Sequence, residues 1–356
     1  MNKLRAGILG ATGMVGQQYI SLLENHPWFE VTHLIASPSS AGKKFSEAVE
    51  GRWHMIKDIP QHLKNKIVCS IDNLKKSKQE CDFVFSAVES DIAKEWEEKY
   101  AAAGIPVVSN ASTHRHTHDV PMVIPEINPH HLDIIPQQRK NHGWTEGFIV
   151  VKPNCSIQSY SAPFAALHKK FHIKKAIITT MQAISGAGHP GVASFDILDN
   201  VIPFIKGEEQ KSEIEPRKIF GSIEKGKIVY DNSLEISAHC NRVPAIDGHM
   251  ACVSFSCEKK PTKDDILNAW KSFKGVPQEL KLPFAPEHAI IYREEENRPQ
   301  TRIDRDTDKG MAVTVGRLRE DPVLQWKFVG LSHNTIRGAA GGGILIAELL
   351  KAKGYL

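Results

Sequence analysis

Three glycines spaced three apart, Gly10, Gly13 and Gly16, stand between an apolar run and an amphipathic one, and no other feature of the chain restricts its fold as much. Leu4 to Leu9 reads as a buried strand that enters Gly10-Ala11-Thr12-Gly13-Met14-Val15-Gly16 directly. Tyr19, Ile20, Leu22 and Leu23 then recur at helical spacing, and residues 30–36 read as a second strand. Together they form a βαβ unit of the length one mononucleotide half requires. Placed between strand and helix, the glycines permit a tight turn, close approach of the backbone to a pyrophosphate, and close packing of helix on strand. The expectation is an α/β fold with a Rossmann-type, doubly wound sheet that binds a dinucleotide.

Where the second strand ends, a unit that prefers NAD usually carries an Asp or Glu for the ribose hydroxyls. This chain has Ser37-Pro38-Ser39-Ser40-Ala41-Gly42-Lys43-Lys44 there. Hydroxyls and lysines without a carboxylate suit a 2′-phosphate, so NADP is the expected cofactor. Two more strands, 82–88 and 105–110, flank a helical stretch at 92–103 and end near small polar residues, Ser86 and Asn110 among them. Strand C-termini of that kind line the ligand crevice of such sheets.

A second constellation surrounds Lys152-Pro153-Asn154-Cys155-Ser156. Residues 148–151 read as a buried strand, Pro153 stops it, and a helical pattern begins at Ser156. Cys155 would then face the free N–H groups of a helix N-terminus, whose partial positive charge favours a thiolate. The polar flank of Asn154, Ser156, Gln158 and Ser159 argues against an inert core thiol. Further on, the strand 176–184 feeds Ser185-Gly186-Ala187-Gly188-His189-Pro190-Gly191, a loop that brings backbone N–H groups close to a ligand. In Asn241-Arg242-Val243-Pro244-Ala245-Ile246-Asp247-Gly248-His249, Arg242 offers a planar fork for a carboxylate, and a turn positions His249 ahead of a strand at 250–255. Taken alone, Glu208 and Lys211 at i, i+3 read as a surface helix pair. His114, His116 and His118 alternate along an extended segment, but no cysteine or carboxylate cluster flanks them, and no metal site is expected.

The 356 residues suffice for two domains, and the apolar and charged fractions, 41% and 24%, are those of an ordinary globular chain. The net charge of +4 arises from 45 basic and 41 acidic residues dispersed along the sequence, which argues against a nucleic-acid partner. No apolar stretch approaches a bilayer span. The six cysteines form no CxxC pair, and the first residues lead straight into a strand, so a reducing, cytoplasmic setting without signal peptide or membrane anchor is expected.

Eight blocks in order, GATGMVG (10–16), SAGK (40–43), SNAS (109–112), KPNCS (152–156), QAISGAGHPG (182–191), GEEQK (207–211), NRVPAIDGH (241–249) and HNTIRGAAGGG (333–343), resemble aspartate-semialdehyde dehydrogenase of the branch associated with archaea and fungi. The resemblance spans essentially the whole chain. It implies NADP-dependent interconversion of L-aspartyl 4-phosphate and L-aspartate 4-semialdehyde, a step toward lysine, threonine and methionine. Carried over residue by residue, it makes Cys155 the nucleophile, His249 the acid/base and Gln182 the side chain that orients the substrate. It assigns Arg242 and Glu208 to the α-carboxylate and α-amino ends, and Arg115 and Lys211 to phosphate, with Asn110 beside them. Gly10, Thr12, Gly13, Met14, Val15, Ser37, Ser40, Ser86, Ser185, Gly186, Gly188 and Asn334 would hold NADP.

The chain departs from the family pattern at Ser39, where many relatives carry arginine, and at Gln210 in a GEEE run. Two domains are implied, residues 1–154 plus 337–356 for NADP and 155–336 for catalysis and dimerisation through a mixed sheet, with a homodimer or homotetramer as the assembly. Malonyl-CoA reductase resembles the same branch, but Glu208 as an amine binder favours an amino-acid substrate. N-acetyl-glutamyl-phosphate reductases match the motifs less well. A catalytically silent NADP sensor would lack the nucleophile or the base, and both are present.

Overall fold

The structure is a computed structural model that describes residues 2–356. The first half contributes β1 (Leu4–Leu9), β2 (Phe29–Ala36), β3 (Cys69–Ser70), β4 (Phe83–Ser86), β5 (Val107–Ser109) and β6 (Ile149–Val151). They form one sheet in the order β3-β2-β1-β4-β5-β6, every neighbouring pair parallel. Ala6, Ile8, Leu9, Phe83, Val84 and Phe85 are all fully buried, as a parallel sheet covered on both faces requires. The strand order reverses direction between β1 and β4. The glycine loop after β1 and the turn after β4 therefore splay apart there and leave a crevice.

The second half forms β7 (Ile173–Gln182), β8 (Ser222–Glu224), β9 (Lys227–Val229), β10 (Glu235–Arg242), β11 (His249–Cys257), β12 (Ile290–Arg293), β13 (Val313–Glu320) and β14 (Trp326–Ser332). Six of them make a mixed sheet in the order β10-β7-β11-β14-β13-β12, while β8 and β9 pair separately. In β7, Ala176, Ile178, Thr180 and Gln182 point inward and Ile177 outward, the alternation of a sheet covered on one face. Helices Gln158–Phe171 and Lys263–Lys271 supply that cover, and Trp270 meets Phe328 edge-on at 5.2 Å. The second of these helices starts at a capping box made by Thr262 and Asp265. The opposite face of the sheet leaves Ile177 and Cys252 exposed.

The chain then returns to the parallel sheet. Helix Gly341–Ala352 lays Gly343 against Tyr19, and its buried Glu348 meets His26 at 2.8 Å and the Phe284 N–H at 3.0 Å. No helix among the described residues is long and apolar enough to cross a membrane.

Helix Ser90–Ala102 buries one carboxyl under the crevice. Glu97 accepts the Ser109 hydroxyl at 2.6 Å, and the same Oγ accepts the Ala111 N–H at 3.0 Å, which fixes the loop after β5. Burial pushes this carboxyl up to about 7 against the hydrogen bond from Ser109. A carboxyl raised on folding stabilises below its unfolded value, and that contribution is lost as pH rises through 7. Glu97→Gln is therefore expected to raise the thermal midpoint more at pH 8 than at pH 5. An equal change at both pH values in a denaturation series would refute the buried neutral carboxyl.

Candidate active site

The segments that leave the parallel strands meet the mixed sheet around a cleft of about 320 Å³, a size suited to a small molecule. Its wall brings together Met14, Val15, Asn110, Arg115, Cys155, Ser185, Gly186, Gly188, Glu208, Lys211 and Asn334. Eleven residues from six separate stretches of sequence thus share one space. Asn154, Val88, Ser90, Ser112 and Thr335 line it as well. Val88, Ser90, Ser112 and Thr335 follow strands that end in Ser86, Ser109 or Ser332, and that signal could have found them.

Cys155 sits on the floor of the cleft, partly exposed. The helix behind it begins at Gln158, two residues later than the sequence pattern indicates, because the Asn154 carboxamide takes the first turn. Asn154 Oδ1 accepts both the Ser156 N–H at 2.8 Å and the Ser156 hydroxyl at 2.6 Å, a local turn that competes with helix. The expected lowering of the thiol by the helix end is overturned. Burial, and then the Glu208 carboxylate, push the Cys155 thiol up, with Lys152, Arg115 and Arg242 acting against them in that order.

Helix Glu208–Ile219 supplies the polar wall. Glu208 is buried and accepts Asn154 Nδ2 at 2.9 Å, Lys211 Nζ at 2.9 Å and Gln182 Nε2 at 3.1 Å. The Glu208–Lys211 ion pair therefore exists, but in the cleft and not on the surface. One turn on, Glu215 accepts the Arg115 guanidinium at 2.9 Å and the Asn154 backbone N–H at 2.6 Å. Lys218 closes the series by donating to the carbonyls of Arg115, Thr117 and Val120 at 2.7, 2.7 and 2.9 Å. Residues 208, 211, 215 and 218 share one helix face. Sequence reasoning missed Glu215 and Lys218, since such spacing usually marks a solvated stripe.

His249 is fully buried as the first residue of β11, so the strand begins one residue earlier, and ends two residues later, than the sequence pattern indicates; it pairs there with Ser332. Its Nδ1 accepts the Ala183 N–H at 3.0 Å, which puts the ring proton on Nε2 in the neutral form. Burial, then Arg242, His333 and Lys152, push the imidazole down to about 3. Gly186 covers the ring: a Cβ at that position would lie 2.9 Å from His249 Nε2 and 2.8 Å from Arg242 Nη1. Arg242 itself is anchored on the Ala183 carbonyl at 2.7 Å. Gln182, Arg242 and His249 thus lie just beneath the loop that forms the cleft wall. Asn334 ties that loop to the histidine, since its Nδ2 donates to Ser185 Oγ at 2.8 Å and its Oδ1 accepts the Gly248 N–H at 2.8 Å.

The crevice suits a dinucleotide. Gly10 turns with φ of +87°, the ten-residue helix Met14–Leu23 begins at Gly13 without a side-chain cap, and its first turn carries no acid, which leaves N–H groups for a pyrophosphate. Thr12 and Gly13 stand at the edge of that loop. Ser37 is exposed at the end of β2 with its hydroxyl 2.9 Å from that of Ser39, while Ser40 is buried behind it. Ser86 is fully buried under the crevice and is not part of its wall. Asn110 donates to Tyr19 Oη at 2.6 Å. His114 parts from the other two alternating histidines: it lies 3.8 Å from Glu97, whereas His116 is 3.1 Å from Tyr230 Oη and the His118 ring lies 6.5 Å from that of Tyr230. No group of metal-ligating side chains occurs among the described residues.

Comparison with known proteins finds relatives over the whole chain. Residues 5–135 match the family described as "Semialdehyde dehydrogenase, NAD binding domain", and residues 164–337 match "Semialdehyde dehydrogenase, dimerisation domain". Aspartate-semialdehyde dehydrogenase of Methanothermobacter thermautotrophicus is 45% identical over 98% of this chain and 99% of its own. That of Aspergillus fumigatus is 44% identical over 99% of both. A crystal structure of aspartate semialdehyde dehydrogenase with NADP from Candida albicans matches over 100% of both chains at 41% identity, with a TM-score of 0.91. Aspartate semialdehyde dehydrogenase II of Vibrio cholerae, at 24% identity and a TM-score of 0.77 over the full length of both chains, shares the fold.

The neutral His249 ring gives a direct expectation for the thiol. Alkylation of Cys155 in the cofactor-free protein should follow a midpoint at or above the ordinary cysteine value of about 8.5, and His249→Asn should leave it in place. A midpoint well below 7 that rises in His249→Asn, read by peptide mass spectrometry, would instead indicate a thiolate–imidazolium pair.

Proposed function

The chain belongs to the aspartate-semialdehyde dehydrogenase family, and from that membership we propose that it converts L-aspartyl 4-phosphate to L-aspartate 4-semialdehyde with NADPH, the step that serves lysine, threonine and methionine synthesis. The observation that carries the reading is the convergence of Cys155, Glu208, Arg115 and Lys211 on one cleft, with Arg242 and His249 directly beneath Gly186.

In this reading Cys155 is the nucleophile. Its sulfur attacks the acyl carbon, the C–O bond to phosphate breaks, and a thioester on Cys155 remains. Arg115 and Lys211 hold the departing phosphate, Arg242 holds the α-carboxylate, and Glu208, steadied by Gln182 and Asn154, holds the α-ammonium. NADPH, held by the loop from Gly10 to Val15, the hydroxyls of Ser37 and Ser40 and the backbone of Gly186 to Gly188, would supply the hydride. The carbonyl oxygen then bears negative charge at a tetrahedral carbon, and His249 Nε2–H donates to it. Collapse of that alkoxide expels the Cys155 thiolate and releases the aldehyde, so His249 lends its proton without losing it. Glu208 gives the scheme a further coupling. A substrate ammonium against this carboxylate offsets the smaller of the two influences that keep the thiol protonated, burial being the larger.

The proposed division of labour is residues 1–154 with 337–356 for the cofactor and 155–336 for catalysis and self-association. The chain would assemble as a homodimer, or a pair of dimers, through the open face of the mixed sheet around Ile177, and the match to a dimerisation domain supports this. Six free cysteines suit a reducing, cytoplasmic setting.

Phosphate-dependent reduction of NADP with L-aspartate semialdehyde tests the reading. Wild type is expected to turn over, with NADP preferred over NAD, and Cys155→Ser to lose on the order of a thousandfold or more in kcat. A folded, NADP-binding wild type without turnover, or an active Cys155→Ser, would refute it.

A further inference from the structure

Lys218 takes no direct part in that scheme, yet it holds the residue assigned to phosphate. The side chain is fully buried on the same face of helix Glu208–Ile219 as Glu208 and Lys211, outside the cleft wall. Its Nζ donates to three backbone carbonyls at once, those of Arg115 at 2.7 Å, Thr117 at 2.7 Å and Val120 at 2.9 Å. An ammonium has three N–H donors and no acceptor, so the three carbonyls use it completely, whereas a neutral amine would turn its lone pair on one of them. Hydrogen bonds to the charged form favour that form, and Asp119 and Glu215 act in the same direction against burial.

The segment gathered in this way has little of its own to fix it. Residues 111–120 form no helix or strand, and their turns close on long bonds: Arg115 N–H to the Ser112 carbonyl at 3.2 Å, Thr117 N–H to that of His114 at 3.2 Å, and Val120 N–H to that of Thr117 at 3.3 Å. From the β8–β9 hairpin the Ile228 N–H reaches the His118 carbonyl at 2.8 Å. One helix therefore grips Arg115 at both ends. Glu215 accepts its guanidinium at 2.9 Å, and Lys218, three residues on, takes its backbone carbonyl. The Asn110 carbonyl accepts Nη2 at 3.0 Å, while the buried Nε has no protein partner and the residue lines the cleft. A guanidinium donor left over at a fixed place in a cleft suits an oxyanion.

We propose that Lys218 is a positioning residue of the phosphate site: by gathering the carbonyls of residues 115, 117 and 120 it sets where the Arg115 guanidinium meets the phosphate, and it touches no substrate itself. The inference rests on the reading of Arg115 as a phosphate binder. One helix face then fixes both ends of the substrate, the ammonium end through Glu208 and the phosphate end through Arg115.

The test is the steady-state kinetics of full-length wild type and Lys218→Met with phosphate, L-aspartate semialdehyde and NADP varied in turn. The assay runs at about pH 6, below the value of about 7 to which burial pushes this ammonium, so that wild type carries the charge. In Lys218→Met the KM for phosphate is expected to rise about tenfold, the worth of one charge-assisted hydrogen bond lost at the phosphate. The KM for L-aspartate semialdehyde and the affinity for NADP should stay near their wild-type values. Arg115→Met, measured beside it, should raise the phosphate KM at least as much. An unchanged phosphate KM in Lys218→Met, with Arg115→Met impaired, would overturn the proposal. So would an equal loss in all three constants, or failure of both Lys218→Met and Lys218→Gln to fold, since the lysine would then support the whole domain and not the phosphate site. An unchanged phosphate KM in Arg115→Met would instead sink the assignment of Arg115, which separates the two failures.

Discussion

The bond on which the rest of the site depends joins Glu215 to two loops at once. One carboxylate oxygen takes the Arg115 guanidinium from the loop after β5, and the other takes the Asn154 N–H from the segment after β6. Its helix belongs to the other sheet: Glu209 and Glu213 accept the N–H groups of Cys240 and Ala238 along the edge strand β10 at 3.3 and 3.1 Å. One face of helix Glu208–Ile219 thus covers a sheet edge that would otherwise present unpaired donors, and the other face holds the Arg115 and Asn154 segments of the cleft. Removing one partner from such a buried pair leaves the other charge unsatisfied and costs about 3–5 kcal/mol. The carboxylate therefore couples the geometry of two sheets to the placement of the residue just before Cys155.

Around that bond the charges alternate in a low-dielectric space. Lys218, pushed down to about 7 by burial, spends its three donors on the carbonyls of the Arg115 loop. Glu208 is shared by three donors and faces the thiol, whose ionisation it opposes. Burial and the Glu208 carboxylate both favour the protonated thiol, and thiolate, not thiol, is the reactive form of a cysteine.

Much of this was legible in the sequence where periodicity and punctuation carry the information. Gly10 to Gly16 after an apolar strand announced the parallel sheet, and the absence of an acid after β2 announced the coenzyme loop. Cys155 stood out at the end of an apolar strand, and Arg242 and His249 in the polar turn ahead of the next one. What stayed hidden was set by tertiary contact. Glu215 and Lys218 have the spacing of a solvated stripe, and only burial against the loops of the other sheet makes them structural. The thiol shift was misjudged for the same reason: a helix start at Gln158 and the burial of Cys155 depend on Asn154 and on neighbours distant in sequence. Ser86 fits a crevice pattern, yet it is fully buried and lies outside the cleft wall.

The passage from β14 to the last helix explains how two sheets can share one rigid site. Along it, Asn334 holds both the Ser185 loop and the Gly248 turn, and Arg337 meets Glu126 at 2.8 Å and the Met311 carbonyl at 2.8 Å. Gly338 then backs Cys155, and Glu348 docks on His26 beside the parallel sheet. Across the mouth, His54 stacks on His189 with ring centroids 3.5 Å apart. Each contact is small, but they lie on different sides of the cleft, so no single hinge axis avoids them all. Relative motion of the two sheets would break several buried polar contacts together, among them Arg337 with Glu126 and Glu348 with His26.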